Sequence, residues 1–286
     1  MMFWKRQPAY SERRRRREEA SIFGADAQEN NRLDLQHFLF RWEFGDDFSA
    51  PLRRPHALLD VACGTGRWAR EIARRFPHTY VVGFDVNRDQ IDRALDYSRQ
   101  QGETLPENCT FQTGDALQRF PFADGRFSLV MARANSAYVP VPAWPVLLNE
   151  LLRVTAPDGW IEVRDFGVIR SQSLALTAMT GIFVGLAAQR PIHPGVGPYL
   201  RHYFAALPLR TVQIQTRTVR SGPQHPTRGG RLLLADYLML MERVIPMIVR
   251  SGLANEPQWQ QLLAQAHHET TQCSTEVELT AAYGRR

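Results

Sequence analysis

The stretch LLDVACGTGRWAREIA, residues 58–73, decides how the rest of the chain is read. Two leucines run into an acid at Asp60, and a loop of small residues follows (Ala62, Cys63, Gly64, Thr65, Gly66). Ala69, Ile72 and Ala73 then recur at helical spacing. The order spells strand, tight turn, helix. Glycines in such a turn let a ligand approach the backbone where a Cβ would block it. Gly64-x-Gly66-x-x-Ala69 nearly meets the fingerprint of a pyrophosphate-binding turn. Asp60 argues against that ligand, because two like charges about 4 Å apart repel by roughly 4 kcal/mol at an effective dielectric near 20. An acid in this place suits a ligand that carries positive charge.

Two further acids repeat the arrangement. Residues 79–84 (TYVVGF) read as a buried parallel strand that ends at Asp85, 25 residues beyond Asp60. A carboxylate at the end of a second strand can accept both hydroxyls of a ribose. Residues 109–113 form a third strand, followed by Asp115 and Ala116. A fourth strand at 127–131, a helix through 149–154, a turn at 157–159 and a fifth strand at 160–164 continue the alternation. Strands alternating with helices predict a parallel, doubly wound sheet, with the three acids along its carboxyl edge.

Residues 60–66 resemble motif I of the class I S-adenosylmethionine-dependent methyltransferases, with Ala62 where that family commonly has its first glycine. Asn31 to His37 resembles the R-x-D-x-Q-H element of the LaeA-like secondary-metabolism methyltransferases, and Tyr283-Gly284-Arg285-Arg286 their terminal motif. The likeness covers roughly residues 29–286, tightly at 31–37 and 58–167. It implies an α/β, Rossmann-like fold with a seven-stranded, mostly parallel sheet and helical cap insertions. A methyltransferase domain over 21–286 would comprise a lid helix at 29–45, a core at 56–167, and a cap and acceptor region at 168–210 and 228–270. The implied cofactor is S-adenosyl-L-methionine. Its candidate binding residues are Asp60, Ala62, Gly64, Gly66, Asp85, Val86, Asp115, Ala116 and Arg133. In the family the carboxylate at Asp115 accepts from the adenine amino group and the amide at Ala116 meets a ring nitrogen. Arg32, Gln36 and His37 are candidates to face cofactor or substrate from the lid helix.

Beyond Gly167 the pattern gives helices at 171–189, 199–207, 231–250 and 256–268, and strands at 211–220 and 275–283. Methyl transfer from a sulfonium needs alignment and exclusion of water rather than a covalent residue. A base serves only a protic acceptor. Candidates to orient the acceptor or take its proton are Asn135 and Tyr138 after the fourth strand, and His193 and His202 in the cap. Residues 132–138 (ARANSAY) lack the N-P-P-Y motif of amino-base methyltransferases and the paired glutamates of protein arginine methyltransferases, which points to a small-molecule acceptor. The apolar helices 171–189 and 232–249 would line its cavity. The expected function is methylation of a small, hydrophobic, natural-product-like molecule. The alternative is a cofactor-binding regulatory or scaffold protein with little turnover.

Composition sets the remaining bounds. The 286 residues are 44% hydrophobic and 22% charged, ordinary values for a globular protein. Most of the net +6 belongs to residues 1–19, where Lys5, Arg6 and Arg13 to Arg17 outnumber three glutamates. Residues 1–20 read as a disordered basic tail. No aromatic interleaving and no zinc-ligand spacing accompany the arginines, so neither nucleic acid nor a metal is indicated. Three cysteines without a spacing motif suit a reducing, cytoplasmic setting, and the N-terminus lacks a signal-peptide pattern. The apolar run at 173–188 is too short for a membrane span, for which roughly 20 residues are needed. A monomer or homodimer is expected.

Overall fold

Strand β1 (Ala57–Val61) is buried along its whole length, with β2 (Tyr80–Asp85) parallel on one side and β4 (Phe127–Arg133) parallel on the other. β3 (Cys109–Thr113) extends the sheet beyond β2, and β5 (Thr155–Phe166) pairs parallel with β4. β8 (Thr275–Arg285) then runs antiparallel between β5 and β7 (Thr211–Ser221). This computed structural model describes residues 25–101, 104–224 and 227–286. The expected tail at 1–20 lies outside the described residues. The strand order is β3-β2-β1-β4-β5-β8, with β7 on β8. The sheet has eight strands rather than seven, because the two-residue β6 (Arg170–Ser171) also pairs with β8.

Helices cover both faces. α2 (Arg67–Arg75) and α3 (Arg88–Gln101) pack on one face around Trp68, Ile72 and Ile91; α4 (Trp144–Val154) and α6 (Leu200–Ala205) pack on the other. A separate core forms where α1 (Ala27–Phe44) meets α5 (Leu174–Ala188), α7 (Arg228–Arg243), α8 (Ile245–Ser251) and α9 (Glu256–Glu269). The fully buried Trp259 donates its indole N–H to the Met241 carbonyl at 3.0 Å within this cap.

Two local expectations change. The helix expected over 231–250 is two helices, because Pro246 lacks an N–H to continue the first and sits in the opening turn of the second. The turn at Pro157-Asp158-Gly159 is absorbed into β5 as a bulge: Thr155 pairs with Phe127, and pairing resumes with Trp160 opposite Leu129.

Candidate cofactor and acceptor site

The loop after β1 turns through left-handed backbone at Ala62 (φ 56°), Gly64 (φ 51°) and Gly66 (φ 71°). A Cβ on Gly66 would run into the Phe111 ring, and one on Gly64 would lie 3.1 Å from Leu33 of α1. Gly66 is therefore a packing glycine as well as a turn residue. The Gly64 amide donates to Asp85 Oδ2 at 2.8 Å, while Asn87 donates to Oδ1 at 2.8 Å. Asp85 thus braces the loop and, with about four lone-pair sites on a carboxylate, retains capacity for two more donors. Burial raises its pKa. Asp115 accepts the Leu117 amide at 2.8 Å and likewise faces the open space.

Asp60 lies deeper. It is 1% exposed, and its Oδ2 sits 3.7 Å from Arg133 Nη2. Burial lifts the acid to about 6, against the pull of the Arg133 charge. Asp60 reaches the site only through Arg133, which lines the space itself. Arg133 Nη1 meets His37 Nδ1 at 3.1 Å, and His37 Nε2 meets Glu71 Oε2 at 3.1 Å. A guanidinium only donates, so His37 is neutral, accepts at Nδ1 and donates from Nε2. Burial, together with the Arg133 charge, holds its pKa below the ordinary histidine value. Burial opposes ionisation of Glu71, yet hydrogen bonds from His37 and Arg67 hold it at about 2. His37, Asp47 and Glu71 offer three ligand atoms within 4.8 Å of one another, but Arg41, Arg67 and Arg75 already pair with the two carboxylates. The cluster is saturated with cationic side chains.

The turn after β4 is set by a residue with no sequence motif, Asp165 at the end of β5. Its fully buried carboxylate accepts the Asn135 and Ser136 amides at 2.8 and 3.0 Å, and the Ser136 hydroxyl. Burial lifts it to about 6 even so. Asp165 thereby holds Tyr138 in the wall of the cavity, where burial pushes the phenol well above its ordinary value. The Asn135 side chain is turned into the protein and does not line the cavity. His193 Nδ1 accepts the Gly195 amide at 3.1 Å and its ring stands edge-on to Tyr199; His202 sits on α6 beside Tyr203. Neither lines the cavity.

That cavity is continuous, about 920 Å³, and has two unlike halves. One half is walled by the β1 loop, Asp85, Val86, Asp115 and Ala116. The other is walled by α1 and the cap, with Phe40, Phe183, Val184, Leu233 and Leu240 as its apolar surface. Four polar residues of this second half, Glu29, Asp236, Tyr237 and Thr180, carried no signal in the sequence. Arg32 and Gln36 of α1 line it as well.

A model described as a methyltransferase domain matches residues 58–159, the span from β1 into β5. The Secondary metabolism regulator laeA of Aspergillus flavus is 30% identical over 163 residues, which are 55% of this chain and 41% of that protein. Methyltransferase GfsG of Streptomyces halstedii is 31% identical over 184 residues, 64% of this chain and 62% of that one. Over this span the chain is similar to methyltransferases and to regulators of the LaeA-like group. It spans about two fifths of the LaeA regulator and three fifths of GfsG. The YcgJ protein from Bacillus subtilis shares the fold at a TM-score of 0.52 and 17% identity, covering 87% of this chain and 98% of that one.

The first half of the cavity suits the cofactor of this methyltransferase family. Gln90, 3% exposed in the cavity wall beside Asp85, has an Oε1 with no hydrogen-bond partner among the described residues. An unpaired acceptor beside two carboxylates calls for a ligand rich in hydroxyl and amino donors, as an adenosine is. No described helix is long and apolar enough to cross a membrane.

Proposed function

We propose that the protein transfers a methyl group from S-adenosylmethionine to a small, apolar acceptor by in-line displacement. The observation that carries this reading is the continuity of the cavity. An acid-lined half able to hold an adenosine opens directly onto an apolar half built by the cap. In this reading Asp85 holds the ribose, Asp115 and the Ala116 amide hold the base, and Arg133 presents the Asp60 charge to the amino-acid end. The cofactor supplies an activated methyl group and a neutral leaving thioether. The chain's own contribution is to align the acceptor, exclude water and hold the charge pattern rigid. α1 closes the space, seated on the glycine loop through Leu33 and tied to α2 by Asp34.

A second reading, a cofactor-binding regulator with little turnover, is favoured by the similarity to a protein named as a regulator. The two separate on purified protein. Formation of S-adenosylhomocysteine from the donor, followed against hydrophobic phenols, alcohols and amines, should rise above the acceptor-free rate for at least one class. Tight cofactor binding with no acceptor ever consumed would leave the regulator reading standing alone.

A further inference from the structure

The apolar half of the cavity contains one ion cluster, and its valence pattern is informative. Arg32 grips Glu29 with Nε and Nη2 at 2.8 and 2.7 Å, and reaches Asp236 Oδ1 with Nη1 at 3.0 Å. Arg243, one face along α7, lies 3.3 Å from Glu29. Arg243 also holds the exposed Asp26 at 2.9 and 3.0 Å, so the two buried carboxylates face Arg32 and a guanidinium shared with the surface. A further anion would face Asp236 and Glu29, and a further cation would face the arginines, each in a site with little water to screen it. The cluster tolerates a neutral ligand.

Within that cluster one atom is underused. Asp236 is 5% exposed and lines the cavity, and its Oδ2 has a single hydrogen bond among the described residues, a long 3.4 Å contact from Gln36 Nε2. A buried carboxylate oxygen left so weakly satisfied presents a strong acceptor to whatever occupies the space. Its neighbours cannot do the same. Thr180 donates its proton to the Leu176 carbonyl at 2.7 Å, so the Tyr237 hydroxyl donates to Thr180 at 2.6 Å and has no proton left for a ligand. Both oxygens of Glu29 are taken by Arg32, and the cap histidines face elsewhere.

We propose that Asp236 accepts the proton of a hydroxyl on a neutral, apolar acceptor, so that the protein is an O-methyltransferase of alcohols or phenols. This rests on the methyltransferase reading above. The acceptor O–H bond breaks and its proton passes to Asp236 Oδ2. The acceptor's oxygen, freed of that proton, forms a bond to the methyl carbon, and the bond from that carbon to sulfur breaks with its electron pair left on sulfur. The proton then leaves to solvent, so an alcohol and a sulfonium give an ether, a thioether and a proton. Burial lifts Asp236 to about 6, with Arg32 opposing and Glu29 assisting, which places the base near neutral working pH.

The test uses the full chain saturated with S-adenosylhomocysteine, titrated by calorimetry with 2-naphthol, 4-phenylphenol and 1-decanol, each against its own methyl ether. At least one hydroxyl compound should bind ten-fold or more tightly than its ether. In Asp236→Asn the side-chain oxygen must still face Arg32, so an NH₂ group faces the cavity and the preference should fall to within two-fold. Methyl transfer to the preferred compound should drop about 10²–10⁴-fold, the usual worth of a positioned base, while S-adenosylhomocysteine affinity stays within two-fold. If Asp236→Asn is poorly folded, the double variant Arg32→Met with Asp236→Leu removes both charges together and should show the same lost preference. The proposal is overturned if wild type favours no hydroxyl over its ether, or if Asp236→Asn methylates at the wild-type rate. Failure of wild type to bind S-adenosylhomocysteine would instead overturn the methyltransferase reading.

Discussion

At the residue scale the site is a set of buried charges whose partners define them. Asp85 is braced by two amides yet retains acceptor capacity. Asp85→Ala should weaken S-adenosylhomocysteine binding by about 1.5–3 kcal/mol, the range for hydrogen bonds to a charged group, as measured by calorimetry. Ala62 occupies left-handed backbone that costs a Cβ-bearing residue about 1 kcal/mol. Ala62→Gly should therefore be neutral or stabilising by up to about 1 kcal/mol in urea unfolding, since the gain is partly offset by the freer unfolded chain. His37 gives a pH effect. Its folded pKa is depressed, so as pH falls the unfolded state takes up the proton first, and stability is lost on acidification below about 6.5. Asp60 and Asp165, raised to about 6, act with the opposite sign between about 4 and 6. The informative quantity is hence the difference from wild type. His37→Gln can still accept from Arg133 and donate to Glu71 without titrating, and it should lose less Tm than wild type between pH 7.5 and 5.5.

At the element scale α1 is the piece that belongs to both halves. It is capped by Asp26 and Gly45, tied to α2 through Asp34 and His37, and to α7 through Arg32. Asp34 accepts from Thr65 at 3.0 Å and from Arg67 at 2.7 Å, both part-exposed contacts. Asp34→Ala should cost only about 1 kcal/mol of global stability, but it should speed hydrogen exchange across α1 and weaken cofactor affinity. These elements differ in how far the sequence announced them. Strand ends, the glycine loop and the amphipathic α1 depend on neighbours a few residues away, and local spacing reveals them. The acceptor wall depends on pairs such as Arg32 and Asp236, 204 positions apart, and no spacing encodes that. Asp165 is equally silent, an acid in a strand whose purpose exists only once β4 and β5 lie side by side. The cap histidines are of a residue type that suggests chemistry, but neither lines the cavity, and a neighbouring amide and a tyrosine ring engage one of them.

On the scale of the whole molecule, the sheet and the cap have separate cores joined by β8. Met241→Ala, at a fully buried position in the cap, should cost about 2–5 kcal/mol. A product complex at a hundred-fold excess over Kd should add about 2.7 kcal/mol, raising Tm by roughly 5 °C in calorimetric scans. β8 carries a cost of another kind. It is wedged between β5 and β7 but is synthesised after both, so one edge of each waits for it. At ~5–20 residues per second, the ribosome leaves those edges bare for roughly ten seconds. A nascent chain in that interval offers open hydrogen-bonding edges to other chains, so yield in a host cell should respond to holdase chaperones and to slower, cooler growth more than to the stability of the finished fold.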